Sequence, residues 1–171
     1  MCGITGFIEK TEKKIAESNL NLMVQEIKHR GPDSNGIWYD ENNGIGLAHA
    51  RLSILDLTSA GHQPMASYSE RYIISFNGEI YNHLLLRENL KKSGINIIWR
   101  GHSDTETLIA CIDTWGLEKT IKKCSGMFAI VIFDKKENSI YLIRDRMGEK
   151  PLYYGVQNGV FLFGSELKAL K

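Results

Sequence analysis

The chain has 171 residues, 43% of them hydrophobic, and its 21 basic side chains nearly cancel the 20 acidic ones. That content is enough for one independently folding domain, and the neutral balance removes the electrostatic case for nucleic acid or an anionic membrane surface as partner. Three cysteines, Cys2, Cys111 and Cys124, are an odd number without paired spacing, which supports neither a disulfide framework nor a zinc knuckle and suits a reducing cytoplasm.

Cys2 follows Met1 directly. Aminopeptidases remove Met ahead of a side chain as small as Cys, so the mature chain would begin with a thiol and a free α-amine on one residue, a nucleophile carrying its own base. The plainer alternative is a small residue opening the first strand, Ile4–Ile8. Glu9, Lys10, Glu12, Lys13 and Lys14 stand where a signal peptide needs an apolar run, and no stretch reaches membrane-spanning length, so the expectation is a soluble chain that is not exported. Leu20, Met23, Val24 and Ile27 then follow helical spacing.

Strands are predicted at Gly36–Tyr39 and Ile45–Leu55, joined by a turn at Asn42-Asn43-Gly44. Along Leu47–Leu55 the alternation puts Ala48, Ala50, Leu52 and Ile54 on one face and His49, Arg51 and Ser53 on the other. Arg51 is thereby held on a rigid element, where its planar fork can grip a carboxylate or can simply be an exposed sheet residue. A strand at Arg71–Phe76 leads into Phe76-Asn77-Gly78-Glu79. A side-chain amide followed by a Gly N–H can aim two neutral donors at one point, as an acyl-transfer oxyanion requires, or the pair can be an ordinary turn.

Leu86 and Leu90 mark a second helix that stops at Gly94. Ser103-Asp104-Thr105-Glu106 fits a capping box for a third, with Leu108, Ile109, Ile112 and Trp115 along one face and Gly116 at its end. Asp104 either caps this helix or binds an ammonium group. Cys111 lies beside the apolar stripe and reads as core, and Cys124 as structural. Further strands follow at Gly126–Phe133, Ser139–Arg144, Leu152–Tyr154 and Val160–Phe163, with a polar loop at Asp134–Asn138 and a tight turn at Gln157-Asn158-Gly159. Neighbouring strands joined by turns, with helices grouped between them, predict an α+β layered domain.

Met1-Cys2-Gly3-Ile4, His29-Arg30-Gly31-Pro32-Asp33-Ser34-Asn35-Gly36, Leu47 to Leu55, Phe76-Asn77-Gly78-Glu79-Ile80-Tyr81-Asn82, Ser103 to Glu106, and Arg144 to Tyr154 together resemble the class II glutamine amidotransferase domain of glutamine-dependent asparagine synthetases, in order and over essentially the whole chain. The resemblance implies an N-terminal nucleophile hydrolase fold, a four-layer αββα sandwich of two mainly antiparallel sheets between helices. It implies that L-glutamine is hydrolysed with Cys2 as nucleophile and its α-amine as base. Asn77 and the Gly78 N–H would form the oxyanion hole, Arg51 would hold the substrate α-carboxylate, and Glu79 and Asp104 would receive its α-ammonium. Backbone groups of Ile54 and Leu55 would complete the pocket.

Pro32 and Leu52 separate the chain from the fructose-6-phosphate amidotransferases, which resemble it but carry Tyr and Trp at those places. The run Gly61-His62-Gln63-Pro64-Met65 agrees with the asparagine synthetase branch. The family continues beyond the Ser165–Lys171 region into an ATP-using synthetase domain, so ATP and magnesium are expected there and no cofactor is expected in this chain. Gly44-Ile45-Gly46 meets His49 where a dinucleotide fingerprint needs Gly, and His29, His49, His62, His83 and His102 show no metal-ligand pairing. The expected partners are L-glutamine and the synthetase domain as ammonia acceptor, and a homo-oligomer is compatible with the sequence. Two alternatives stay open: an amidotransferase serving a sugar or other carboxylate in polysaccharide synthesis, and a non-catalytic module that kept the fold.

Overall fold

The computed structural model describes residues 1–171 and runs β1 (Gly3–Ile8), α1 (Lys13–Glu26), β2 (Ser34–Asp40), β3 (Ile45–Arg51), β4 (Met65–Ala66), β5 (Tyr72–Ile80), α2 (His83–Lys92), α3 (Asp104–Trp115), α4 (Leu117–Lys123), β6 (Gly126–Asp134), β7 (Ser139–Arg144), β8 (Tyr153–Gln157) and β9 (Val160–Gly164). One sheet has the order β2-β3-β1-β9-β8 and the other β4-β5-β6-β7. Every pairing is antiparallel.

Three apolar clusters define the layers. Ala16, Leu20, Val24 and Ile27 bring α1 onto Phe7, Ala48 and Ala50 at the outer face of the first sheet. Leu86, Leu90, Leu108, Ile109 and Ile112 set α2 and α3 against Ile74, Phe76, Ile80, Ile130 and Ile132 of the second. Between the sheets, Ile4, Leu47 and Phe163 meet Ile73, Ala129 and Val131. The result is the αββα sandwich that the motifs imply.

All seven residues of β3 are buried. The alternation read in the sequence is real, but it divides two cores rather than a core from solvent: Ala48 and Ala50 face α1, and Leu47 faces the second sheet. Arg51 is accordingly enclosed rather than exposed. The strand also stops at Arg51, four residues short of the expected end. Leu52 N–H turns to Cys2 Sγ at 3.4 Å and Ser53 N–H to Asp33 Oδ2 at 2.7 Å, so neither is available to the ladder.

Other differences follow from local chemistry. β5 runs on through Asn77 and Gly78, which pair with Ala129 and Phe128 of β6, so the ordinary-turn reading of this Asn-Gly pair is excluded. A Cβ on Gly78 would overlap the Met127 carbonyl and the Phe128 backbone, which explains a glycine inside a strand. Ser103, not Asp104, caps α3, its Oγ accepting from Glu106 N–H at 3.1 Å. The Glu106 carboxylate completes no box but accepts from the Arg100 and Gly101 N–H groups at 2.7 and 3.1 Å. Gly116, at φ +84°, both ends α3 and opens the short α4, a helix to which the sequence reading assigns no element. At Asn158 and Gly159 both φ angles are positive, +52° and +83°, as a two-residue hairpin turn of the expected kind requires.

Candidate active site

The end of β3, the open edge of β5 and the start of α3 converge on the chain's second residue. Between them lies a cavity of about 100 Å³ whose lining includes all eight residues singled out from the sequence: Cys2, Arg51, Ile54, Leu55, Asn77, Gly78, Glu79 and Asp104. Their positions span a hundred residues of chain. No local pattern could gather them; the two sheets do.

Cys2 Sγ sits against Leu52, accepting from its N–H at 3.4 Å and lying 3.5 Å from its carbonyl. Burial pushes the thiol up from its ordinary pKa, with the Leu52 N–H pulling the other way. A thiol so placed rests in the protonated form and needs a base before it can attack. Arg30 Nε donates to the Cys2 carbonyl at 3.0 Å, and Ser165 Oγ accepts from Ile4 N–H at 2.9 Å, so the first residues are tied down from two sides.

Asn77 points into the space between the sheets. Its Nδ2 is buried and has no hydrogen-bond partner, an uncommon state for an amide donor. The β5 edge beside it is nearly fully occupied. Phe76 N–H is taken by Gln63 Oε1 at 2.6 Å and Ile80 N–H by Asp104 Oδ2 at 2.9 Å. Antiparallel ladders alternate, so Gly78 N–H emerges on this same edge between the two, where no side chain accepts it. One amide and one backbone donor are thus left free at adjacent residues.

Arg51 is 9% exposed and its Nη2 donates to the Asp56 carbonyl at 2.5 Å. It forms no ion pair, an unusual condition for an enclosed guanidinium. A Cβ on Gly61 would overlap that guanidinium, so the glycine is what leaves it room. Asp104, across the cavity, has its pKa raised by burial, against which the Ile80 N–H works. Its other oxygen accepts from Thr105 N–H at 2.9 Å. Glu79 projects from the same face of β5 as Asn77 and is half-buried. Ile54 and Leu55 form a largely exposed rim, 71% and 44% accessible.

Several contributors were not assigned roles from sequence. Gln63 bridges β5 to α3, its Nε2 donating to Thr105 Oγ1 at 3.3 Å. The Asp56 carboxylate binds Thr58 and the His102 N–H, the latter at 2.8 Å, and is held at a pKa of about 2, chiefly by the Thr58 hydroxyl. Lys150 and Met1 also line the cavity. Gln63 lay inside a quoted motif, but only the fold reveals that its amide caps a sheet edge.

The two-sheet sandwich between helical layers is the fold of the N-terminal nucleophile hydrolases. Among solved structures, the glutamine phosphoribosylpyrophosphate amidotransferase of B. subtilis shares the fold with a TM-score of 0.80 at 19% identity, covering 99% of this chain and 43% of that one. The sequence matches the model of the glutamine amidotransferase domain family over residues 1–171. The chain belongs to that family. A putative glutamine-hydrolysing asparagine synthetase 2 of Methanocaldococcus jannaschii is 40% identical over 99% of this chain, and asparagine synthetase 1 of Bacillus subtilis 42% identical over the same share. The chain spans only 35% and 26% of those two proteins.

Proposed function

We propose that this domain hydrolyses L-glutamine to glutamate and ammonia through a thioester on Cys2, and that it supplies the ammonia to a synthetase domain that amidates aspartate. The observation that carries the first part is the pair of vacant donors, Asn77 Nδ2 and Gly78 N–H, in the cavity that also holds the Cys2 thiol. Once Met1 is removed, the freed α-amine takes the thiol proton and the sulfur attacks the side-chain amide carbon of glutamine. The carbonyl oxygen becomes an oxyanion and receives the two donors. Collapse expels ammonia, which leaves with the proton from the amine, and water then cleaves the thioester.

Arg51 holds the α-carboxylate, for which its unpaired fork is suited, and Asp104 with Glu79 takes the α-ammonium. Backbone at Ile54 and Leu55 closes the rim. The chemistry needs no metal or organic cofactor at this site. ATP and magnesium belong with activation of the acceptor carboxylate in the synthetase part, and the cytoplasm is the setting we assign to both. Support for aspartate as acceptor comes from the relatives named above and from Pro32 and Leu52.

The test begins with protein whose loss of Met1 is verified by intact mass. Glutamate and ammonia should form from L-glutamine, and Cys2→Ala should abolish both while the protein stays folded. Undiminished hydrolysis by Cys2→Ala would overturn the reading. Aspartate, ATP and magnesium added to the full-length protein should then yield asparagine, and a failure confined to that step would refute only the acceptor.

A further inference from the structure

Lys150 lines the cavity, yet the thioester route gives it no part. The residue is 5% exposed and its ammonium meets no carboxylate; its one hydrogen-bond partner is Met1 Sδ, at 2.8 Å from Nζ. The loop beneath it is fixed. Asp145 accepts from the N–H groups of Phe128, Met147, Glu149 and Lys150. Arg144 donates to the Gly148 and Lys150 carbonyls, both at 2.6 Å. An enclosed cation without a counter-charge is costly, and packing alone would be served by an uncharged chain.

Met1 Sδ is five bonds from the Cys2 nitrogen, within roughly 6 Å of it, so Lys150 Nζ, 2.8 Å from that sulfur, stands no more than about 9 Å from the amine that Met1 removal creates. Resting on the reading of Cys2 as nucleophile, we propose that Lys150 is a positioning residue for that amine, its fixed positive charge holding the amine in the neutral form that can take the thiol proton. A neighbouring like charge disfavours an ammonium.

The other charges facing the amine are Arg51 from β3, Asp56 from the following loop, Glu79 from β5, Asp104 from α3, and Arg30 behind Cys2. Arg30 is matched by Glu166 at 2.9 Å, and the Asp56 carboxylate is taken up by Thr58 and His102. Bound glutamine matches Arg51 with its carboxylate and Asp104 and Glu79 with its ammonium. Lys150 is then the one cation in the cavity left unmatched.

The experiment compares mature wild-type, Lys150→Met and Lys150→Arg by the pH dependence of kcat and by NMR titration of the α-amine in protein labelled with 15N-cysteine. In Lys150→Met the acid limb of kcat and the amine midpoint should both rise by roughly half to one pH unit, with the high-pH plateau kept. Lys150→Arg should restore both. Unmoved midpoints in Lys150→Met, with Cys2 still essential, overturn this proposal alone, whereas an active Cys2→Ala overturns the reading beneath it. Lys150→Gln substitutes if Lys150→Met does not fold. If neither neutral variant folds while Lys150→Arg does, the charge is structural and the proposal also falls.

Discussion

Asn77 offers a way to separate catalysis from stability within one side chain. Its Nδ2 has no partner in the resting protein, so truncation removes little that holds the fold. Asn77→Ala should lower kcat by roughly 10²–10³, about 2.7–4 kcal/mol of transition-state stabilisation, with a much smaller change in KM and in melting temperature. A loss confined to KM would make Asn77 a binding residue only. Arg51 is the reverse case, a cation whose partner arrives with substrate. N-acetylglutamine and glutamine amide each lack one charge of the ligand and should be poorer by at least about tenfold in kcat/KM, since a charge-assisted hydrogen bond contributes about 1.5–3 kcal/mol. Arg51→Lys keeps the charge without the fork and should remain impaired, and equal rates for glutamine and glutamine amide would refute the assigned grip.

At the level of elements, the site is built where strands stop. β3 ends because Leu52 bonds Cys2 and Ser53 bonds Asp33. The open edge of β5 is capped at Phe76 and Ile80 by side chains, leaving Gly78 between them. Asp56 joins two of the loops involved, and its carboxyl, at about 2, lies below the ordinary range near 3.9. A depressed carboxyl contributes stability that is full above the unfolded value and lost as pH falls through the folded one. Asp56→Asn should therefore lower stability at pH 7 and narrow its gap from wild-type near pH 2, as urea unfolding at the two pH values would register. A constant gap would place the effect in packing instead. Much of this was legible in advance: the strands by alternation, α3 by Ser103 and Gly116, and the site by short motifs around Cys2, Arg51, Asn77 and Asp104. Gln63 and Asp56 were not, because a polar side chain that caps a distant sheet edge, as Gln63 does, or ties two loops together, as Asp56 does, leaves no periodic mark. The exposed-residue alternative for Arg51 fails for a related reason, since a strand between two sheets alternates between cores.

For the molecule as a whole, His49 is the polar link between the sheets. It is fully buried on β3, and its Nε2 lies 3.0 Å from the Phe76 carbonyl of β5, so that nitrogen carries the proton. Burial lowers its pKa to about 4. The unfolded chain takes up a proton near 6.5 that the folded protein refuses until about 4, so stability should fall as pH drops through that interval, by on the order of 3 kcal/mol. His49→Gln should flatten this part of the stability curve; an unchanged slope would assign it to other groups. The claim on which the rest depends is that the thiol at the head of β1 becomes acylated. The most direct measurement is to treat Met1-free protein with a diazoketone analogue of glutamine and map the adduct by peptide mass. The account predicts one adduct per chain, on Cys2, with loss of glutamine hydrolysis in proportion to labelling. An adduct on Cys111 or Cys124, or full activity in protein labelled at Cys2, would contradict it.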